Sequence, residues 1–569
     1  MMMWWGDDIV EFLRGGVVLM AFLVVVSPLN VGAATEFTVH RLQQYQLHGY
    51  SYGSLGSVVG VEAGTISNGP MLRQCILAKL SEVTPSVYQR VAESAAAMVI
   101  ILPGNMTALA PPARQLVREL EQSMLNQEVQ MAVFFAQENA ELNSIYNSVK
   151  KRTKTATKSA AANFFSSLAS DGYQMVVSGA QSKPVQDLAI ANIQGKLSGY
   201  GAEDKLPTVA LVAHYDTFAA APELAFGGDS NGSGVSALLE AARLLSRLYR
   251  AQHTHPHTNV LFLLAGGGYL NYQGSKRFLE DQLDSSDNSL LGENQPQFVL
   301  CLDSLTASDA LYLHVSKPPK QGTLLHSFYQ RLVEVGLEQG VRVELVHRKI
   351  NLQDDRQAWE HHKYSIRRLP AATLSAIASP DDEGRGSILD SVSSVNMSRL
   401  LRHTSVLTGA LLRHIYPASS GGSADDAATE APSIVPQLPQ TLSVSSSSLG
   451  SWMSVLSAQP RSTQLLLPAK TNPLVTNLYN ILDRYTNEVK VSVHKPDKRD
   501  PEYGFHDMTG GTMTAYAIKP ASFDLLLSLV IAGYMGLVYL LLQQLPLLHR
   551  LLLRSTTAVS NGKLKSKSY

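Results

Sequence analysis

One short stretch constrains the fold more than any other part of the chain: an apolar run that ends in two polar residues and leads into a glycine-rich turn. The run is TVALVAHYD, residues 208–216, and it ends with His214 and Asp216. The turn is GGDSNGSG, residues 227–234, and residues 235–249 then carry leucine and alanine at helical spacing. This order predicts a buried strand, a tight turn and an amphipathic helix, which is a building unit of α/β folds.

His214 and Asp216 would lie where an α/β sheet commonly carries its chemistry. The carboxyl ends of the strands border the crevice in which such folds bind ligands. A histidine there can bind a metal ion, while a carboxylate two residues later orients its ring. Ser233, in the turn, is a candidate N-cap for the following helix. A lone His-x-Asp is a weak signal, but with this turn and helix it predicts the scaffold of a metal site.

Together these motifs resemble the zinc aminopeptidases of the transferrin-receptor superfamily, over about residues 209–414. Three phrases carry a narrower resemblance to the nicalin family of membrane-anchored nicastrin relatives. They are NYQGSKR at 271–277, LHVSKPP at 313–319 and DKRDPE at 497–502. The resemblance implies an α/β fold with an aminopeptidase-like mixed sheet flanked by helices, and an N-terminal accessory lobe.

In that superfamily two zinc ions share one bridging carboxylate. The resemblance places His214 and Asp303 at two ligand positions of one metal, with Asp216 behind the histidine. The bridging position, the second acidic residue of the family's turn, is Ser230. A neutral hydroxyl is a poor bridge between two divalent cations, since zinc sites in proteins use thiolate, imidazole and carboxylate ligands.

The family's catalytic glutamate and its neighbouring glutamate ligand follow the next strand, residues 259–265. In this sequence the strand runs into Gly266, Gly267 and Gly268, and no glutamate is available even if the alignment shifts by one position. The distal histidine of the family lies in a loop that corresponds to residues 380–390, and that loop contains no histidine.

Two ligands without a base should neither hold zinc tightly nor activate water. We therefore expect a catalytically inactive domain that needs no cofactor, with His214 and Asp303 forming a hydrogen-bonded pair in a relict cleft. One alternative is a zinc metallopeptidase with a substituted site, which would require Glu240 or Glu360 to point into the cleft. Another is a nicastrin-like substrate-binding subunit of an intramembrane protease, with a cleft-floor carboxylate poised for an ammonium group.

The composition limits the remaining possibilities. The chain has 569 residues, with 47 Lys plus Arg against 47 Asp plus Glu, so its formal net charge is zero. No basic excess or nucleic-acid motif points to direct binding of DNA or RNA. The cysteines are Cys75 and Cys301, and the apolar surroundings of Cys301 favour a buried free thiol over a disulfide with Cys75.

Apolar segments near both ends of the chain predict a membrane protein. Residues 1–34 resemble a signal peptide, with an uncleaved anchor over about residues 15–29 as the alternative. Residues 520–548 contain an apolar core at 525–542 that is long enough to span a bilayer. The basic tail at 549–569 follows it, so the positive-inside rule predicts a type I orientation with the large domain in the lumen.

Between these segments we predict four parts. They are an N-terminal accessory lobe at 35–190, an aminopeptidase-like domain at 191–416, a flexible Ser/Pro-rich linker at 417–451 and a membrane-proximal segment at 452–519.

Short motifs add to the prediction of a lumenal domain. Asn-x-Ser/Thr sequons occur at Asn105, Asn231 and Asn396, of which Asn105 and Asn396 are the better acceptors because Asn231 belongs to the cleft turn. Lys565 and Lys567 resemble the Lys-x-Lys-x-x retrieval signal of endoplasmic reticulum membrane proteins. The predicted location is therefore the endoplasmic reticulum membrane.

The narrower resemblance implies a function in assembly. Resemblance to the nicalin family implies two partners, Nodal modulator and a small multispanning membrane protein. It also implies association with the ribosome-bound translocon that inserts multipass membrane proteins. The same resemblance implies a link to Nodal signalling. We therefore expect a scaffold subunit of a translocon-associated complex.

Overall fold

The computed structural model of the chain describes most of residues 34–518 and parts of 527–544. Within the first range the described residues exclude 67–70, 156–171, 178–180, 187, 203–205, 285–295, 355, 382–384, 417–442, 463–466, 469, 498 and 500. Within the second, residue 541 is excluded. The predicted signal peptide up to residue 33, residues 417–442 of the predicted linker and the tail with Lys565 and Lys567 lie outside the described residues. Residues 446–451, predicted to belong to the flexible linker, are instead the start of a helix, Ser446–Ser457.

The strands, numbered in chain order, are β1 (Thr35–Arg41), β2 (Tyr45–Leu47), β3 (Tyr50–Ser54), β4 (Val59–Thr65), β5 (Cys75–Lys79), β6 (Ala97–Leu102), β7 (Glu128–Val129), β8 (Ala132–Gln137), β9 (Gly172–Val177), β10 (Ile190–Leu197), β11 (Thr208–His214), β12 (Asn259–Ala265), β13 (Phe298–Leu302), β14 (Leu311–Val315), β15 (Val343–His347), β16 (Ala371–Ser375), β17 (Asn487–His494), β18 (Tyr503–Phe505) and β19 (Gly510–Ile518).

The helices, numbered likewise, are α1 (Pro85–Ser94), α2 (Pro111–Leu125), α3 (Ala140–Thr155), α4 (Gly232–Arg250), α5 (Gln273–Asp284), α6 (Leu324–Glu338), α7 (His361–Ile366), α8 (Met397–Ile415), α9 (Ser446–Ser457) and α10 (Pro473–Tyr485).

The N-terminal lobe is built on a closed barrel. Its strand order among the described residues is β1, β19, β9, β4, β5, β6, β8, and β8 pairs back onto β1. The barrel is closed by a strand from the far end of the chain, because β19 pairs antiparallel with both β1 and β9. The parallel strands β5, β6 and β8 are fully or largely buried, as their continuous apolar sequences require.

The second layer is a mixed sheet in the order β15, β14, β16, β13, β11, β12, β10, β17. Its centre, β12, β11, β13 and β16, is parallel, and β10 and β17 extend one side in antiparallel fashion. Helix α4 packs over the central strands and is buried along nearly its whole length. The predicted aminopeptidase-like mixed sheet flanked by helices is therefore confirmed, and the carboxyl ends of β11, β12 and β13 meet at one edge.

Residues 452–519 do not form a separate body. Strand β17 completes the edge of the large sheet next to β10, β18 pairs with β2, and β19 closes the barrel. The returning C-terminal chain thus joins both lobes. Within this segment the helix α10 is followed directly by the strand β17, because the helical spacing of leucines ends before the alternating valines of β17 begin.

Several local predictions can be compared with the structure directly. Helix α8, Met397–Ile415, ends the aminopeptidase-like domain that was predicted over residues 191–416. Helix α4 begins one turn earlier than predicted, with Asn231 rather than Ser233 at the N-cap, because Ser233 already has helical backbone and uses its hydroxyl on Asp229. Both cysteines are buried free thiols, as the sequence favoured for Cys301.

The predicted C-terminal membrane helix is present as an apolar helix. Leu527–Gln544 covers 18 residues with a mean hydropathy of 1.6, and none of it is buried against the rest of the chain. It is the one helix in the described part of the chain that is long and apolar enough to cross a membrane.

Candidate functional site

The candidate site is a cleft at the carboxyl ends of β11, β12 and β13. His214 is the last residue of β11, Gly266 to Gly268 follow β12, and Asp303 follows β13. A cavity of about 310 Å³ opens in front of them, and its wall includes residues from the N-terminal lobe, such as Arg118. In the structure these positions lie together at one edge of the sheet.

His214 is held by a glutamate. Its Nδ1 lies 3.2 Å from Oε2 of Glu360, which precedes α7, and the Ser275 hydroxyl donates to the other carboxylate oxygen at 2.6 Å. The edge of the imidazole contacts the ring of Tyr272, with 5.6 Å between ring centres. The Asn231 amide nitrogen donates to the carbonyl oxygen of His214 at 3.2 Å and to that of Leu302 at 2.7 Å.

Asp303 is held by an arginine. Nη2 of Arg385 donates to Asp303 Oδ2 at 2.7 Å, and the same nitrogen lies 2.8 Å from the Tyr272 hydroxyl. The guanidinium also donates to the carbonyl oxygen of Ala358 at 2.9 Å and lies 4.4 Å from the ring centre of Trp359. The predicted hydrogen-bonded pair of His214 and Asp303 is therefore wrong, since each side chain is bound to a residue from another loop.

Asp216 does not orient the His214 ring through a hydrogen bond. Its Oδ1 accepts from the backbone nitrogen of Gly268 at 2.8 Å, and its Oδ2 accepts from that of Tyr269 at 3.4 Å. Burial raises the pKa of the Asp216 carboxyl above its ordinary value. The residue fixes the glycine segment after β12 against the end of β11.

The charge state of His214 follows from its surroundings. Burial disfavours the imidazolium, but the hydrogen bond and charge of Glu360, with Asp303 and Asp216 nearby, outweigh burial and raise the pKa of His214 above its ordinary value. The raised pKa favours the imidazolium form, which donates from both ring nitrogens and has a matching acceptor in the Glu360 carboxylate.

The glycines after β12 leave no room for the family's two glutamates in this arrangement. A Cβ added to Gly268 would lie 2.4 Å from the His214 ring, and one added to Gly266 would lie 2.7 Å from the carbonyl oxygen of Ala191. Gly267 has a φ of +69°, which disfavours any other residue. The His214 ring occupies the space beside the segment where the family carries its glutamates.

Ser230, at the bridging position, lies in a turn held by a second carboxylate pair. The backbone nitrogens of Asp229 and Ser230 donate to the two oxygens of Asp390 at 2.8 and 2.7 Å. Asp229 Oδ1 accepts from the Ser233 hydroxyl at 2.6 Å and from the Thr306 nitrogen at 2.9 Å. Burial raises the pKa of Asp229 to about 6, and burial with the charge of Asp229 raises that of Asp390 to about 7.

The donor set does not fit a two-zinc centre. Among the described residues, no group of three or more His, Cys, Asp or Glu side chains is arranged to hold a metal ion. The two relict ligand positions are engaged elsewhere: Asp303 by a guanidinium and His214 by a carboxylate. A metal would have to displace Arg385 before Asp303 could bind it.

Of the two glutamates considered from the sequence, one points into the cleft. Glu360 contacts His214, whereas Glu240 binds Arg243 at 2.6 Å and the backbone of Ser445, on the outer side of α4. Sequence reasoning missed Arg385. One sequence feature could have indicated its role: Arg385 occurs in the loop that corresponds to the position of the family's distal histidine.

The structure separates the three sequons. Asn231 is completely buried and its side-chain nitrogen donates to two carbonyl oxygens, so it is not accessible as an acceptor in the folded domain. Asn105 and Asn396 are exposed, and Asn396 is the N-cap of α8. These two remain the predicted glycosylation sites.

Comparison with known proteins agrees with this architecture. The Peptidase family M28 model matches residues 192–391. The crystal structure titled "gamma-secretase component Nicastrin" superposes with a TM-score of 0.56 at 10% identity, covering 85% of this chain and 100% of that one. The fold and the cleft thus define an M28 peptidase-like protein of nicastrin architecture.

Sequence relatives narrow the class. A protein of Danio rerio named "BOS complex subunit ncln" is 44% identical over 557 residues, covering 95% of each chain. A Homo sapiens protein named "BOS complex subunit NCLN" is 44% identical over 544 residues, covering 94% of each chain. The chain belongs to the nicalin (NCLN) family.

Proposed function

We propose that the chain is a non-catalytic, peptidase-like scaffold subunit of a multi-subunit complex in the endoplasmic reticulum membrane. The observation that carries the non-catalytic part is the contact of Arg385 with Asp303. A guanidinium supplies positive charge at a carboxylate that the related peptidases use for zinc. Unlike zinc it has no open coordination position, so it cannot lower the pKa of a bound water.

The surrounding residues support the same conclusion. A metallopeptidase needs a free carboxylate as the general base for its metal-bound water. The carboxylate nearest to His214, that of Glu360, accepts hydrogen bonds from His214 and Ser275. The segment after β12 offers only glycines, and Gly268 has no space for a side chain beside His214.

Membership in a complex is supported by the names of the relatives. Both are called subunits of the BOS complex, and their coverage extends over nearly the whole of this chain. By resemblance to the nicalin family, the proposed partners are Nodal modulator and a small multispanning membrane protein. Association with the ribosome-bound translocon, multipass membrane protein insertion and the link to Nodal signalling belong to the same proposal.

The barrel supports the proposed topology. Strand β19 ends at Ile518, a few residues before the apolar helix Leu527–Gln544, and Thr35 at the start of β1 pairs with Ala515 of β19. The barrel end that carries these residues should therefore face the membrane. With a cleaved signal peptide and the basic tail in the cytosol, the barrel and the cleft would lie in the lumen.

Purification of the full-length chain from membranes in mild detergent tests the proposal. We expect defined membrane partners, well under one zinc per chain by elemental analysis, and no release of amino acids from peptides with free N-termini. A chain recovered without partners would remove the scaffold role. Two tightly bound zinc ions with peptide cleavage would remove the non-catalytic one.

One observation favours a second candidate, a zinc metallopeptidase with a substituted site. Glu360 points at His214, which is the arrangement that this alternative requires. The decisive comparison is peptidase activity with and without added zinc for the native chain and for Glu360→Gln. Zinc-dependent activity that disappears in Glu360→Gln would establish the metallopeptidase. We expect no activity in either protein.

A further inference from the structure

The cavity in front of His214 is lined by more arginines than the neutral composition of the chain would suggest. Besides Arg385, which is bound to Asp303, the side chains of Arg118, Arg348 and Arg356 reach its wall. Arg118 comes from the N-terminal lobe and the others from loops of the peptidase-like domain, so distant parts of the sequence bring positive charge to one space of about 310 Å³.

Arg356 occupies an unusual position for a cation. Its guanidinium lies 4.5 Å from the ring centre of Tyr269, 5.3 Å from that of Tyr45 and 6.0 Å from that of Tyr52. It also donates a hydrogen bond to the Tyr45 hydroxyl. The aromatic faces stabilise the cation and hold it in place without neutralising it. The side chain keeps part of its surface open to the cavity.

Within the described residues, no carboxylate lies within ion-pair distance of Arg118, Arg348 or Arg356. Arg118 donates to the carbonyl oxygen of Arg385 at 2.6 Å, and its buried Nε has no hydrogen-bond partner there. Like charges that converge in a cavity repel one another unless an anion balances them.

The carboxylates that line the same cavity are engaged by other groups. Glu121 accepts from the Ser387 hydroxyl and from backbone nitrogens, Asp216 accepts from backbone nitrogens, and Asp354 accepts from the Asn351 amide. Burial raises the pKa of the Glu121 carboxyl, which favours its neutral form. Asp381 lies exposed at the rim. Among the described residues that line the cavity, the arginines therefore outnumber the carboxylates that can carry a balancing charge.

We propose that this cavity binds a carboxylate group of a polypeptide, with Arg356 and its two neighbouring arginines as the binding residues. Guanidinium groups match carboxylates in shape and can bind both oxygens at once. The cavity lies at the small end of ligand-binding pockets and suits one terminal residue or one acidic side chain rather than a folded domain. This inference rests on the proposed non-catalytic function in one respect, that no metal occupies the cleft.

The choice of ligand charge follows from the cleft floor. An aminopeptidase-like cleft that kept its specificity would hold the ammonium group of a peptide against a free carboxylate. Here the floor carboxylates, Asp303 and Glu360, are bound to Arg385 and to His214 with Ser275. An ammonium group would meet carboxylates that already accept hydrogen bonds, and three arginines. A carboxylate would meet three guanidinium groups that have no carboxylate partner among the described residues.

The test uses the full-length chain in mild detergent and fluorescence anisotropy with short labelled peptides of one apolar sequence. Four versions are compared: free C-terminus, amidated C-terminus, amidated C-terminus with an internal glutamate, and free N-terminus with amidated C-terminus. The first three are acetylated at the N-terminus. We expect the free C-terminus or the internal glutamate to bind about 10-fold more tightly than the amidated neutral peptide, which distinguishes the two sources of carboxylate.

Two variants and a matched control locate the binding. Arg356→Gln should weaken carboxylate binding to the level of the amidated peptide. Arg348→Gln, on an exposed side chain, should weaken it with no change in thermal stability and thus guards against misfolding of the first variant. Arg342→Gln removes an exposed arginine that is bound to Glu344 outside the cavity and should leave binding unchanged.

The outcomes separate this inference from the proposed function. Equal binding of all four peptides, no binding of any, preference for the free N-terminus, or insensitivity to both arginine variants would each overturn it. Mass spectrometry of the recovered peptides monitors cleavage in the same samples. Intact peptides without carboxylate preference would remove only the inference, while shortened peptides would remove the non-catalytic function itself.

Discussion

The cleft floor and the turn beside it both contain buried carboxylates, but they balance those carboxylates in opposite ways. In the floor, Asp303 is bound to Arg385 and Glu360 to His214, so each carboxylate has a cationic or ionisable side-chain partner. In the turn, Asp390 accepts two backbone N–H groups, and the neighbouring carboxylate lacks a basic partner in direct contact.

In the turn the carboxylates are stabilised by neutral N–H and O–H donors, whereas in the floor they are stabilised by ionisable side chains. Asp229 is bound by Ser233 and Thr306. The buried Arg461, whose charge acts on Asp390, donates to backbone carbonyl oxygens such as that of Gly227 at 2.5 Å. Burial raises the pKa of Asp229 to about 6, and burial together with the charge of Asp229 raises that of Asp390 to about 7.

This difference shows which interactions within the fold hold the residues of the metal-site motif. Each remaining residue of the turn has a structural partner: Asp229 orders the start of α4, and Asn231 ties β11 to β13 through two carbonyl oxygens. In the floor, by contrast, the Asp303 carboxylate is paired with the guanidinium of Arg385. The residues of the turn are therefore held by hydrogen bonds to the backbone, whereas the carboxylates of the floor are held by side chains that carry or can carry a positive charge.

The largest effect should come from removing the cation of the floor. Arg385→Met leaves the Asp303 carboxylate buried without its partner, which costs about 3–5 kcal/mol of stability. We expect the largest drop in the thermal midpoint of the full-length chain in mild detergent. The control is Arg399→Gln, which breaks an exposed pair with Asp309 and should cost at most about 1 kcal/mol.

The double variant Arg385→Met with Asp303→Asn identifies the cause. If the unpaired charge is responsible, neutralising Asp303 should restore part of the lost stability. Equal stability of the single and double variants would instead assign the loss to packing of the Arg385 side chain against Trp359. The floor would then differ from the turn in side-chain packing and not in how its charges are balanced.

The next effect concerns the space beside His214. Gly268→Ala places a Cβ 2.4 Å from the imidazole, so the ring must move away from Glu360. We expect a loss of about 1–3 kcal/mol, as for other overpacked interiors. Gly450→Ala is the matched control, since it lies in α9 with open space around it and should stabilise the helix by about 0.5–1 kcal/mol. A thermal midpoint for Gly268→Ala equal to that of the native chain would refute the assignment.

Replacing His214 should have a comparable or smaller effect. His214→Ala leaves Glu360 with the Ser275 hydroxyl as its remaining side-chain donor, and we expect a loss of about 1–3 kcal/mol. Co-purification of partners should be unchanged, because the proposed scaffold function does not use the cleft floor. A double-variant cycle with Glu360→Gln measures the pair, and a coupling energy near zero would show that the two side chains do not stabilise each other.

The sequence predicted the elements of the site well because they are local. The apolar run at β11, the run at β13 and the periodic helix α8 each carry their own signal, and the His214 and Asp303 positions follow from where those strands end. The loss of a bridging carboxylate at Ser230 was likewise visible in the sequence alone.

The partners could not be predicted because they depend on contacts across the fold. Glu360 reaches His214 over 146 residues and Arg385 reaches Asp303 over 82, from loops without a periodic pattern. The closure of the barrel by β19 could not be predicted for the same reason. The sequence near residue 515 alone does not show that β19 pairs with β1 on one side and with β9 on the other. Loops and edge strands reveal their role only through tertiary pairing.

The smallest expected effect is a pH dependence of stability that comes from the carboxylates of the turn. A carboxyl group whose pKa is raised by folding stabilises the protein below its unfolded pKa, and this contribution is lost as the pH rises through the folded pKa. For Asp229 and Asp390, with folded values of about 6 and about 7 against an ordinary 3.8, stability should fall as the pH rises from about 4 to about 7 and change little above that.

Asp229→Asn should reduce this fall. The amide oxygen can still accept from Ser233 and Thr306, while the repulsion with Asp390 disappears. Relative to the native chain, the variant should therefore gain about 1 kcal/mol in going from pH 5 to pH 8, measured as the change in the difference of thermal midpoints. Asp309→Asn serves as the control, because Arg399 lowers the pKa of Asp309 and its titration is complete below this range. If Asp229→Asn and Asp309→Asn gave parallel curves, the two carboxylates of the turn would not be coupled, and the turn would differ from the floor only in the identity of its donors.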